Sequence, residues 1–186
     1  TRTLMVAATA ACFVFSGIGL LGAASTSAAV RVLRLLATWT MAAIAAAMLL
    51  QAALGTDLGI DFPSLHSWYL DKNPHPGRMA PNTAVAFLMA AIALQLRING
   101  RKGGILFHAL PAAIITLGLI GLAGYTFLFD LAYGWYDVPR MAVTTAVGTI
   151  LLGFGLVADR LPRDPPGARS AGLQQSSDDH PGYAFL

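Results

Sequence analysis

Five long apolar stretches alternate with polar, glycine- and proline-bearing segments along the 186-residue chain. The apolar runs fall at about residues 4–24, 35–54, 81–96, 105–129 and 141–158. Each approaches the ~20 residues that carry a helix across a bilayer. The first run follows Arg2 and ends in small residues, so it has the outline of a secretory signal. The reading preferred here is an uncleaved helix. The second follows Arg31 and Arg34 and carries Trp39 near its start.

A longer polar segment, residues 55–80, contains Pro63, Pro74, Pro76 and Gly77, which punctuate and stiffen a loop. The third helix is expected to begin at Pro81, because proline suits a first helical turn. Arg97 at its end can reach back to the membrane interface. Residues 97–104 form a short basic turn. Pro111 is expected to disturb the fourth helix locally, which membrane helices tolerate when neighbours compensate. Residues 159–186 form a tail rich in Pro, Ser and Asp, expected to be disordered unless a partner holds it.

One stretch occurs twice. Arg78-Met79-Ala80-Pro81-Asn82-Thr83-Ala84-Val85 returns as Arg140-Met141-Ala142-Val143-Thr144-Thr145-Ala146-Val147, identical at six of eight positions. Trp68, Tyr69 and Asp71 precede the first copy; Trp135, Tyr136 and Asp137 precede the second. An apolar run lies upstream of each and another follows each. The pattern is that of a duplicated helix-loop-helix unit. The expected fold is an all-α integral membrane protein of five transmembrane helices. Spans 2–3 and 4–5 form two tandem repeats, at about residues 35–97 and 105–159, with an extra N-terminal helix outside them. Residues 1–158 would be the membrane domain and residues 159–186 a cytoplasmic tail.

Composition agrees with that architecture. Apolar residues make up 56% and charged residues 11%, and the mean hydropathy is +0.63. A soluble domain carries about 25% charged residues. The length leaves no room for a soluble catalytic domain beside five spans. All nine carboxylate side chains are Asp. The single cysteine, Cys12, excludes an intramolecular disulfide. The net charge of +3 is too small to suggest nucleic acid as a partner.

The basic residues set an orientation. With the N-terminus outside, the inner loops and tail hold Arg31, Arg34, Arg97, Arg101, Lys102, Arg160, Arg163 and Arg169; the outer side holds Arg2, Lys72, Arg78 and Arg140. The excess favours a periplasmic N-terminus and a cytoplasmic C-terminus in a bacterial inner membrane. The two repeats would then be related by a pseudo-twofold axis along the membrane normal.

The repeated motif supplies the candidate site: Arg78, Met79, Asn82 and Thr83 in one copy, Arg140, Met141, Thr144 and Thr145 in the other. Its arginines sit where an outer loop enters a helix, and helix N-termini favour anions. The plainer role outweighs this one: each arginine fixes its turn by binding loop carbonyls or the nearby Asp71 and Asp137. Trp68, Tyr69, Trp135 and Tyr136 suit an interfacial aromatic belt better than a ligand cage.

Four histidines invite a metal or pigment reading. His66 and His75 lie in the first outer loop, His108 in the fourth span and His180 in the tail. With only His108 in a span, no bis-histidine haem pair forms. No compact group of about four zinc ligands appears either, although His66 and His75 could contribute to one. His108 is a candidate pigment ligand, although an interfacial hydrogen bond suits it better. No metal or cofactor is expected, and contact with lipid or pigment stays open.

Gly17-Ile18-Gly19-Leu20-Leu21-Gly22 matches a dinucleotide-binding spacing but lacks the strand and the following acidic residue. It suits close helix packing, as do Gly118, Gly121 and Gly124 in the fourth span and Gly148, Gly153 and Gly155 in the fifth. No nucleophile–base or carboxylate pair emerges, and no charge lies near a span centre where a proton relay would need one. An enzyme or transporter is therefore disfavoured.

The motifs at residues 78–84, 124–127 and 140–146 resemble those in the N-terminal membrane region of bacterial sensor histidine kinases and diguanylate cyclases. There, an Arg-Met-x-Pro-Asn-Thr-Ala-like entry is followed by a Gly-Tyr-x-Phe-like exit and a second Arg-Met-Ala entry. The resemblance covers roughly residues 35–160 and implies a sensor-type membrane bundle. The chain departs from it in carrying no output domain after that region.

Two functions follow as expectations. The first is a non-enzymatic accessory subunit of a larger membrane complex, respiratory or photosynthetic, docked partly through Tyr183, Phe185 and Leu186. The second is a sensor input module that recruits a kinase or cyclase. The expected partners are the bilayer and other membrane subunits.

Overall fold

A computed structural model describes residues 5–25, 27–57, 59–61, 77–98, 104–127 and 141–160. Five α-helices account for most of them, and no strand occurs among the described residues. They are α1 (Ala7–Leu21), α2 (Ala28–Leu54), α3 (Pro81–Ile98), α4 (Ile105–Phe127) and α5 (Val143–Ala158). A single 3-10 turn, Gly22–Ala24, links α1 towards α2.

The helix starts follow the sequence expectation at α3 and α4. At α2 they do not. The helix begins at Ala28, so Arg31 and Arg34 lie inside it rather than ahead of it. A long arginine stem can pack along apolar surface while its guanidinium reaches a polar group, so arginine does not force the helix to start later. Arg34 does this: its stem lies against Gly22, and its Nε donates to the Gly19 carbonyl at 3.1 Å. At the far end, Gly55 takes the left-handed conformation, with φ 61°, that commonly stops a helix.

Two helices, α2 and α4, are long and apolar enough to cross a membrane; α1 and α5 are shorter apolar helices. Five full spans were expected from the sequence. Among the described residues there are five helices, of which two are long and apolar enough to span.

Successive helices run antiparallel. Arg34 near the start of α2 reaches Gly19 near the end of α1, and Arg97 near the end of α3 pairs with Asp159 just past α5. At the opposite end, Gln51 of α2 and Arg78 ahead of α3 share one partner. Helix α2 packs against α3 and α4 against α5, the latter being the more extensive of the two contacts among the described residues.

The two copies occupy corresponding places in their helices. Ala80 accepts from the Ala84 amide at 3.1 Å, and Ala142 accepts from the Ala146 amide at 2.9 Å, so each motif opens its helix at the same residue. Met79 and Met141, Thr83 and Thr145, and Ala84 and Ala146 are all buried.

The copies differ in depth. Helix α3 is the hub, touching all four others. Of residues 81–97, only Val85 and Ile92 are exposed. Helix α5 shows a clear division instead. Thr145, Thr149, Leu152 and Leu156 line its buried face, while Val143, Val147, Leu151 and Phe154 are exposed. Residues three and four apart share a helix face, which explains both stripes.

Helix α1 packs against α2, α3 and α5. Phe13 meets Phe87 of α3 edge-to-face, with centroids 4.9 Å apart, and its ring also lies over Gly148 of α5. The Ser16 hydroxyl is 3.0 Å from Met41 Sδ of α2.

Glycine makes the α4–α5 contact possible. A Cβ at Gly118 would lie 2.9 Å from the Ala146 carbonyl oxygen and 2.7 Å from Ile150 Cγ1. A Cβ at Gly153 would lie 3.2 Å from the Pro111 carbonyl oxygen. Close approach through small residues is how helices gain van der Waals contact when lipid removes the hydrophobic drive. The glycine run of α1 serves the same end only in part. Gly19 and Gly22 abut Leu94 and Arg34, whereas Gly17 faces open space. Pro111 is buried within α4, and the helix continues through it.

Three buried hydroxyls are satisfied locally. Ser16, Thr38 and Thr149 each donate to the carbonyl four residues earlier, at 2.7–2.8 Å. This leaves little uncompensated polarity at those positions.

Candidate functional site

Polar chemistry gathers at the two ends of the bundle. At the end where α3 begins, the chain leaves α2 through Gly55 and turns back at Gly59, whose φ is 71°. The Gly59 amide donates to Asp57 Oδ1 at 2.8 Å, a side-chain-to-backbone bond of the kind that stabilises such turns. Asp61 is thereby brought over the end of α2. Its Oδ2 accepts from Gln51 Nε2 at 2.6 Å and from Arg78 Nε at 3.1 Å. Arg78 also donates from Nη2 to the Thr56 carbonyl at 3.4 Å. Gly77, at φ 87°, makes the turn that delivers Arg78.

Arg78 and Asp61 are each 7% exposed, and Gln51 is fully buried. A buried charge pair is costly to break because one charge would remain without its partner. Arg78 thus ties α2, the following loop and the start of α3 together. Two acceptors in this cluster, Gln51 Oε1 and Asp61 Oδ1, are buried with no hydrogen-bond partner among the described residues. Among the described residues, the cluster has no nucleophile beside a base.

Arg78 was expected to bind loop carbonyls or Asp71 and Asp137. It binds a loop carbonyl, Thr56, and the carboxylate of Asp61; Asp71, Asp137 and Arg140 lie outside the described residues. The two motif copies meet directly. Asn82 Nδ2 donates to Met141 Sδ at 3.5 Å, and Ala80 packs with Met141 and Ala146. Met79 joins the larger core that includes Met41, Phe87 and Leu94. Thr144 is exposed.

The other candidates divide simply. His108 is exposed on α4, its ring edge-on to Phe107. Trp68, Tyr69, Trp135, Tyr136, His66, His75, His180, Tyr183, Phe185 and Leu186 lie outside the described residues. Among the described residues, no three His, Cys, Asp or Glu side chains cluster to hold a metal.

At the opposite end, Arg97 Nε lies 3.2 Å from Asp159 Oδ2. Arg34 and Arg160 both feel the charges of Asp159 and Arg97. The Arg160 guanidinium sits 4.0 Å above the Phe107 ring, a cation–π position. Burial lowers the Arg160 pKa; Asp159 opposes that shift and Arg97 adds to it.

The sequence reading singled out neither Gln51 nor Asp61. Gln51 was signalled by its position: it falls on the same helical stripe of α2 as Ala37, Met41, Ala45 and Met48. A polar residue on the buried stripe of an apolar helix needs a partner. Asp61 carried no comparable signal, since its place depends on the turn at Gly59.

Comparison with protein-family models, with curated proteins and with solved structures yields no match.

Proposed function

We propose that this chain is a non-enzymatic accessory subunit of a larger assembly in a bacterial inner membrane, which it stabilises by helix packing. Its five helices would lie in the bilayer with the N-terminus periplasmic and the C-terminus cytoplasmic. The supporting observation is where the bundle places its apolar and polar side chains. Val143, Val147, Leu151 and Phe154 form an exposed apolar stripe along α5, and Leu33, Leu36, Trp39, Leu50 and Leu54 are exposed along α2. Thr38, Gln51, Thr83, Thr145 and Thr149 are buried. Water would penalise such an arrangement, whereas lipid or apolar protein accommodates it. Helix α5 presents a continuous face suited to another helix.

The reading is tested by extracting the protein from its native membrane in mild detergent at natural abundance. A fixed ratio of this chain to other integral membrane subunits is the expected result. Recovery as a monomer across several mild detergents would reject it.

A second reading, a sensor input module that recruits a kinase or cyclase, draws on the contact between Asn82 and Met141 that joins the two repeated entry motifs. Recovery with a kinase or cyclase would favour it.

A further inference from the structure

Among the described residues, the end of the bundle opposite Arg78 carries more positive than negative side chains. Arg97 pairs there with Asp159, whose charge Arg34 and Arg160 also feel. The three arginines come from three parts of the chain: the start of α2, the end of α3 and the residue pair after α5. Arg34 is only 8% exposed. Its Nε is used by the Gly19 carbonyl, but its Nη2 is buried with no hydrogen-bond partner among the described residues. The same holds for Nη2 of Arg160, whose guanidinium is held over Phe107. Buried donors left unpaired cost stability, and charged ones cost more. Among the described residues, three guanidiniums face one carboxylate at this end.

We propose that this cluster is a binding site for a phosphate group, held by Arg34 and Arg160 beside the Arg97–Asp159 pair. A phosphate offers several acceptor oxygens and negative charge, and guanidinium–phosphate hydrogen bonds are among the stronger kinds. It would satisfy both Nη2 groups and offset the excess charge. The phosphate can come from an anionic lipid headgroup or from free inorganic phosphate. Exposed Leu21, Leu33, Leu36, Ile105 and Leu106 occupy the same end of the bundle, where acyl chains of a lipid would lie. The lipid source rests on the membrane placement proposed above; the phosphate site itself does not require a protein partner.

The test uses the full chain in a neutral detergent, measured by native mass spectrometry and thermal melting. Dioleoylphosphatidylglycerol, dioleoylphosphatidylcholine and inorganic phosphate are added separately. Retention of phosphatidylglycerol over phosphatidylcholine, with a raised melting temperature, assigns the lipid source. Protection by inorganic phosphate alone assigns the free anion. In either case Arg34→Gln and Arg160→Gln should each weaken binding about tenfold. Arg31→Gln, which removes an exposed arginine one turn away on α2, should leave it unchanged. Should Arg34→Gln fail to fold, Arg160→Gln decides, because Arg160 lies outside the helices described. Absence of binding by all three probes overturns the proposal. So does equal binding by Arg160→Gln, or an equal loss in Arg31→Gln. Carbonate extraction of the chain from membranes reports separately on membrane placement.

Discussion

Asn82 donates its side-chain amide to the sulfur of Met141 at 3.5 Å, so the two copies of the duplicated motif touch one another. The contact is asymmetric. Met141 lies at the junction of α3, α4 and α5, against Gly121, whereas its counterpart Met79 fills the larger core beside α2. The repeated motif therefore opens two helices with different packing roles. Met79→Ala and Met141→Ala should each destabilise the bundle by about 2 kcal/mol, the lower part of the range for emptying a buried site. Lipid already solvates apolar groups, so lost packing dominates the cost. Unfolding in mixed micelles with increasing sodium dodecyl sulfate measures both.

Glycine position should separate tight contacts from open ones. Gly118→Val places a side chain against the Ala146 carbonyl and Ile150. It should cost about 1–3 kcal/mol and splay α4 from α5. Gly17→Ala enters open space and should leave stability unchanged or raise it by up to about 1 kcal/mol. The same unfolding assay compares the two.

Arg78 should matter through Asp61. Arg78→Ala leaves the Asp61 carboxylate and Gln51 buried without their cation, an effect of about 3–5 kcal/mol. The double variant Arg78→Met with Asp61→Leu removes both charges and should recover a large part of that loss. A double-mutant cycle reads the coupling directly. Additive losses would show that the pair is not coupled.

The aromatic contact between α1 and α3 predicts a further cost. Phe87 is buried and meets Phe13 edge-to-face. Phe87→Ala should destabilise by about 3–5 kcal/mol, whereas Phe87→Leu should lose less because it keeps most of the volume. Melting in detergent, followed by circular dichroism, distinguishes them.

Much of the helical frame was legible because apolar run length carries it directly. Pro81 opens α3, and α4 begins at Ile105. The start of α2 was not legible, because Arg31 and Arg34 look like loop residues until Gly19 supplies a carbonyl for one of them. The repeat was visible in identity, yet nothing in the string distinguishes the central α3 from the outer α5. Depth depends on which helices gather around each, and α1 decides part of that. At the site, Arg78 stood out through repetition. Its partner Asp61 lies across a glycine-directed turn, and Asp159 lies on another helix end from Arg97. Such pairings are set by tertiary folding, beyond the reach of local spacing.

The central claim is that the exposed face of α5 is a protein contact within a membrane assembly. Photo-crosslinking groups placed singly at Leu151 and Phe154, in the native membrane, address it most directly. The account predicts one protein adduct of a single mass, formed from both positions and absent when the group is moved to the buried Leu152. Adducts to lipid alone at both positions would contradict it.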